Sequence, residues 1–106
     1  MASGKLGSAD LTANTYITVY TVPSSTISTV NINMTNRGAD VAEVRVAITS
    51  EATTPLDADF IEYDVTIPSS GILERTALIA GANEKVMAYS TTTDVSVRVH
   101  GLEEAS

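Results

Sequence analysis

The sequence predicts an all-β protein, an antiparallel β-sandwich of about seven to eight strands of immunoglobulin-like or jelly-roll type. Three observations carry this. Extended runs alternate apolar and polar residues with a period of two, the spacing that sends successive side chains to opposite faces of a sheet. Turn residues interrupt those runs at intervals of roughly 8 to 12 residues. No apolar stripe of helical period is present, and two apolar sheet faces in so short a chain must cover each other.

At 106 residues the chain is one domain, with room for a single core. Hydrophobic residues make up 43% and aromatic residues only 5%, with no Trp, so the core must be built from Val, Ile, Leu and Ala. A net charge of −7 argues against a nucleic-acid backbone or an anionic membrane as partner, since both require clustered Lys and Arg. Cysteine is absent, which excludes disulfides and thiolate metal sites. Residues 1–15 hold one Lys and no apolar stretch of the kind a signal peptide needs, and no segment is long and apolar enough for a membrane-spanning helix. The expectation is a protein made in the cytoplasm.

In chain order, residues 1–15 are rich in Gly, Ser, Ala, Asn and Thr and are expected to be a flexible N-terminal arm. The sandwich is expected over 16–102 and a C-terminal tail over 103–106. Tyr16 to Val22 is β-branched and aromatic and ends at Pro23-Ser24-Ser25, a strand and its turn. From Thr26 to Thr35, Val30, Ile32 and Met34 alternate with Thr29, Asn31, Asn33 and Thr35, so one face is apolar and the other a polar ladder. After a turn at Asn36 to Asp40, Val44, Val46 and Ile48 face one way and Glu43, Arg45 and Ala47 the other. Ser50 to Asp59 is a polar surface loop. Phe60 to Thr76 reads as a hairpin: Ile61, Tyr63, Val65 and Ile67 alternate with Phe60, Glu62, Asp64 and Thr66, Pro68-Ser69-Ser70-Gly71 reverses the chain, and a second strand runs on to Ala80. Lys85 to Ser90 follows a turn at Gly81 to Glu84. Val95, Val97 and Val99 then alternate with Ser96, Arg98 and His100 in the last strand.

The chain offers little to catalysis. His100 is the single histidine, on the polar side of the last strand, and with no Cys and no second His it forms neither a triad nor a metal site; the plain reading is an exposed strand residue. Asp57, Asp59, Glu62 and Asp64 crowd one segment, but their spacing fits no calcium loop, and they read as a solvated acidic edge with Glu62 and Asp64 on one strand face. No nucleophile elbow or phosphate loop occurs. Glu74 and Arg75 point to opposite faces of their strand, so Arg75, on the side of Leu73, is a candidate to pair with a carboxylate of a neighbouring strand or subunit, or to cover apolar surface with its stem. No catalytic residue, cofactor or metal ligand is assigned.

Certain stretches are more specific: Val19-Tyr20-Thr21-Val22-Pro23, the Asn36-Arg37 turn, Ile61 to Asp64, Leu73-Glu74-Arg75-Thr76, and Val97-Arg98-Val99-His100-Gly101. With them, nearly the whole chain resembles a family of short virion structural proteins of tailed bacteriophages. Where that family usually has Pro-Ala-Gly after the first strand, this chain has Pro23-Ser24-Ser25. The resemblance implies a non-enzymatic β-sandwich on the outside of the particle, decorating or cementing the capsid, or belonging to the collar, tail, baseplate or fibre. Its expected partners are further copies of itself, as a trimer or dimer, and virion proteins such as the major capsid protein. The N-terminal arm and the tail from Leu102 are expected to make contacts between subunits. A receptor- or glycan-binding module on a fibre is the alternative; aromatic residues in exposed loops would favour it, and the expected loops hold none.

Overall fold

The computed structural model describes residues 1–106. Eight strands form two antiparallel four-stranded sheets: β1 (Ser3–Asp10), β2 (Ile17–Thr21), β3 (Thr26–Asn36), β4 (Ala42–Thr49), β5 (Phe60–Ile67), β6 (Ile72–Ala80), β7 (Lys85–Ser90) and β8 (Val95–Ala105). One sheet has the order β1-β8-β3-β6 and the other β2-β7-β4-β5. Every connection except β4 to β5 passes from one sheet to the other. Of the two sandwich types expected, this strand order is the jelly roll.

The core follows from the alternation. Val30, Ile32 and Met34 of β3 and Val95, Val97 and Val99 of β8 project inward from one sheet, against Val44 and Val46 of β4 and Val86 and Ala88 of β7 from the other. Each fully buried Val or Ile contributes about 1.5–3 kcal/mol of transfer free energy, so many small residues replace the few large rings of an aromatic core. Tyr20 is the one aromatic in this core. Its hydroxyl donates to Glu103 Oε2 at 2.6 Å and accepts from the buried Ser28 hydroxyl at 2.6 Å, which satisfies both polar groups.

Three expectations are corrected. Residues 1–15 are not a flexible arm. Ser3–Asp10 is paired along β8 from Ser3 opposite Leu102 to Asp10 opposite Ser96, and Leu11 enters the core at 2% exposure. Gly7 lets this strand press onto β2, for a Cβ there would lie 2.2 Å from the Val19 carbonyl oxygen. Nor do residues 103–106 form a tail, since β8 keeps its register with β3 as far as Ala105 opposite Thr26. The Phe60 to Thr76 stretch is not a hydrogen-bonded hairpin: β5 pairs with β4 and β6 with β3, so the turn is an arch between sheets. Asn36 fastens that arch, being fully buried with its side-chain amide donating to the carbonyls of Asp40 at 2.8 Å and Ile67 at 3.0 Å.

The register irregularities divide by position. The central ladders β3–β8 and β4–β7 run without a shift, whereas β1, β2, β5 and β6, the four edge strands, each carry a bulge. Extra residues in an edge strand twist it and break the row of free backbone groups that another strand would need.

Candidate functional site

The outer face of the β2-β7-β4-β5 sheet holds what the core lacks. In β7, Val86 and Ala88 face the core, so Met87 and Tyr89 face outward. In β4, Val44 and Val46 face inward, so Arg45 and Ala47 face outward. Two bulges in β5 then change its phase: Phe60 comes opposite Ala47, and Tyr63 turns outward to 56% exposure beside Asp64, whose φ is 53°. Tyr16, at the entrance to β2, completes the group. Four of the five aromatic residues, Tyr16, Phe60, Tyr63 and Tyr89, are thus on one external face. Ala47 and Met87, opposite each other in register, are buried at 1% and 2% exposure on a face with no second sheet over it, so the side chains around them form a shallow outer core.

Arg45 organises this face. Its guanidinium carbon lies 4.1 Å from the centroid of Tyr63 and 4.6 Å from that of Tyr89, Nε donates to Asp64 at 2.7 Å, and Nη1 donates to the Tyr16 hydroxyl at 2.8 Å. These bonds, Asp64 first and Tyr16 second, raise the Arg45 pKa still further above its ordinary value, so it is a fixed positive charge. Tyr89 sits 4.8 Å from Tyr16 between centroids and donates its hydroxyl to Asn14 at 3.1 Å. Each cation–π contact at such a half-exposed position contributes about 0.5–1 kcal/mol.

Beside the Arg45 cluster, Asp57, Phe60 and Tyr63 line an open notch of about 470 Å³. The Phe60 and Tyr63 rings stand edge to face at 85°, with centroids 5.0 Å apart. The local carboxylates differ in their commitments. Asp64 pairs with Arg45 and Glu62 with Arg75, while Asp59 accepts from the Thr49 hydroxyl at 2.6 Å and the Leu56 amide at 3.0 Å. Asp57 makes neither an ion pair nor a hydrogen bond and is exposed. The four therefore part company: Glu62 and Asp64, expected on one strand face, are separated by the bulge, and no group of three or more acidic or His side chains is placed to hold a metal ion.

The opposite outer face, on β1-β8-β3-β6, carries the polar ladder of β3. A depression of about 560 Å³ there is lined by Asp10, Asn33, Thr35, Ser96 and Arg98 among others. At one end of this face Leu102 and Ile79 flank Thr29, 43% and 59% exposed respectively. His100, expected to be exposed, is half-buried on this face opposite Asn31 and Lys5, and its Nδ1 is buried without a partner. Arg75 reaches across to the other sheet, where its head donates to Glu62 and, at 3.3 Å, to the Ile61 carbonyl while its stem lies along the core margin. Glu74 points to the other face, opposite Asn33.

Sequence reading missed the aromatic face. The outward phase of Arg45, Tyr89 and Phe60 follows from their alternation with inward-facing residues and could have been found, the two shifts in β5 cancelling at Phe60, but Tyr63 depends on a bulge that alternation does not reveal. No protein family, curated protein or solved structure matches the chain.

Proposed function

We propose that the protein is a non-enzymatic structural protein of a tailed-bacteriophage virion, decorating or cementing the outside of the capsid by non-covalent docking and self-association. The observation that carries this reading is the external placement of Tyr16, Phe60, Tyr63 and Tyr89 around Arg45, in a chain that closes its core with aliphatic residues. Tyr and Arg are the residue types most enriched where proteins bind one another. Support for the phage assignment comes from the stretches that carry the resemblance, and the jelly roll recurs among capsid and lectin domains, an analogy of fold alone. The bulged edges disfavour strand addition between subunits, so association runs through the sheet faces and closes as a trimer or dimer.

A second reading, a receptor- or glycan-binding module on a fibre, is favoured by one observation: the aromatic face is exposed, with Tyr63 the most open, and sugar rings stack on such surfaces. Electron microscopy of assembled particles carrying a labelled copy separates the two. Symmetric sites over the capsid support decoration, fibre tips support the receptor module, and absence from the particle overturns both. Deleting residues 1–12 is a poor test, because it strips β1 from β8 and removes the core residue Leu11. Tyr63→Ala, an exposed change, is the better variant for measuring occupancy.

A further inference from the structure

We infer that the notch between Asp57, Phe60 and Tyr63 receives a lysine or arginine side chain projecting from the surface of a partner protein. This rests on reading the protein as a docking module and adds the chemistry of what docks.

The first support is a pattern that the same face already shows once, around the Tyr63 ring that the notch shares. Next to the notch, the protein holds a cation of its own between aromatic rings and closes it with a carboxylate: Arg45 against Tyr63 and Tyr89, with Asp64 as counter-charge. The notch has the same components, the rings of Phe60 and Tyr63 and the carboxylate of Asp57, and no cationic side chain of this chain lines it. The second support is charge. Asp64 balances the Arg45 charge stacked on Tyr63, and Glu62 is paired with Arg75, whereas Asp57 at the notch has no cationic partner in a chain that carries −7, which leaves a carboxylate there for a positive group to meet. Shape decides against a saccharide. Two rings at 85° make a corner rather than a platform for a pyranose, and the lining is rich in π surface and acceptor, which suits an ammonium or guanidinium with donors only.

The test uses the whole chain and small probes, read by NMR: N-acetyl-lysine amide, N-acetyl-arginine amide, N-acetyl-norleucine amide and a neutral disaccharide. Saturable shifts at Asp57, Phe60 and Tyr63 are expected with the two cationic probes only, weakened about tenfold in Asp57→Asn and lost in Asp57→Lys, where the chain supplies its own cation. An equal response to norleucine, a response to the disaccharide alone, no response at those residues, or binding unchanged in Asp57→Asn would each overturn the inference. Asp57 is exposed, so both variants keep the fold, and unchanged shifts of the core valines confirm it. Because the probes act on the isolated protein and the docking reading is tested on particles, either can fail without the other.

Discussion

Arg75 on β6 and Glu62 on β5 form an ion pair that joins the two sheets at an edge where no backbone ladder connects them. Arg75 projects inward beside Leu73, opposite the buried Ile32, and its stem shields the core margin while its head reaches Glu62. Both side chains are partly exposed, at 38% and 16%, so water screens the pair and its worth is modest. Arg75→Ala should cost about 1–2 kcal/mol in urea unfolding, through lost packing and the unpaired Glu62. Arg75→Met, which keeps the stem, should cost less than Arg75→Ala; an equal loss would show that the charge carries the whole effect.

Asn36 should be the costliest polar residue to remove. It is fully buried, bonds the carbonyl of Asp40 in the turn after β3 and that of Ile67 at the end of β5 through its amide nitrogen, and accepts the Gly38 amide at 3.0 Å through its oxygen. Asn36→Ala leaves three backbone groups without partners and should destabilise by about 3 kcal/mol or more. Asn36→Asp keeps the acceptor but loses both donations, and equilibrium denaturation should place it near the Ala variant.

Glu103 sets a pH dependence. Its bond from the Tyr20 hydroxyl, and then that from the Ala2 amide, hold its carboxyl below the usual carboxylate range. A lowered pKa in the folded state gives stability that is present above the unfolded value and is lost as pH falls through the folded one. Thermal melts should therefore show the acid limb flattened in Glu103→Gln relative to wild type. At the alkaline end burial, and next the bond to Glu103, push Tyr20 up, so its contribution is present below the ordinary tyrosine range and lost above it; Tyr20→Phe should remove that limb and cost about 1 kcal/mol at neutral pH.

Gly101 admits no side chain. Its φ is 154°, and a Cβ there would lie 1.9 Å from the Thr29 carbonyl oxygen, a backbone atom of the central β3 that cannot move aside. Gly101→Ala should cost at least about 3 kcal/mol or prevent folding. A melting temperature within a few degrees of wild type would contradict the packing of β8 on β3 described above.

What could be read in the sequence was the part of the fold with unbroken ladders. The inward set Val30, Ile32, Met34 and the set Val95, Val97, Val99 belong to β3 and β8, whose register never shifts, so alternation reports the true face of each residue. At the edges the same rule fails, because one extra residue turns every later side chain over. Tyr63 was therefore placed with Ile61 and Val65 and is in fact outside, near Arg45. Ser3–Asp10 was illegible for another reason: its residues have little strand propensity, and what makes it a strand is the waiting edge of β8, a partner some ninety residues away. Whether Ile61 to Ile67 and Ile72 to Ala80 share a sheet is likewise a long-range fact that a turn sequence does not encode.

Ala2 and Glu103 exchange bonds through both backbone and side chain, so the first and last strands of the sandwich meet at one end of the molecule. A tension applied through the two ends would open β1 from β8 one hydrogen bond at a time, starting at Ala2 and Glu103, and not shear the whole ladder at once. The molecule is thus a weak link when pulled from its ends: single-molecule stretching between them should peel β1 from β8 at low force.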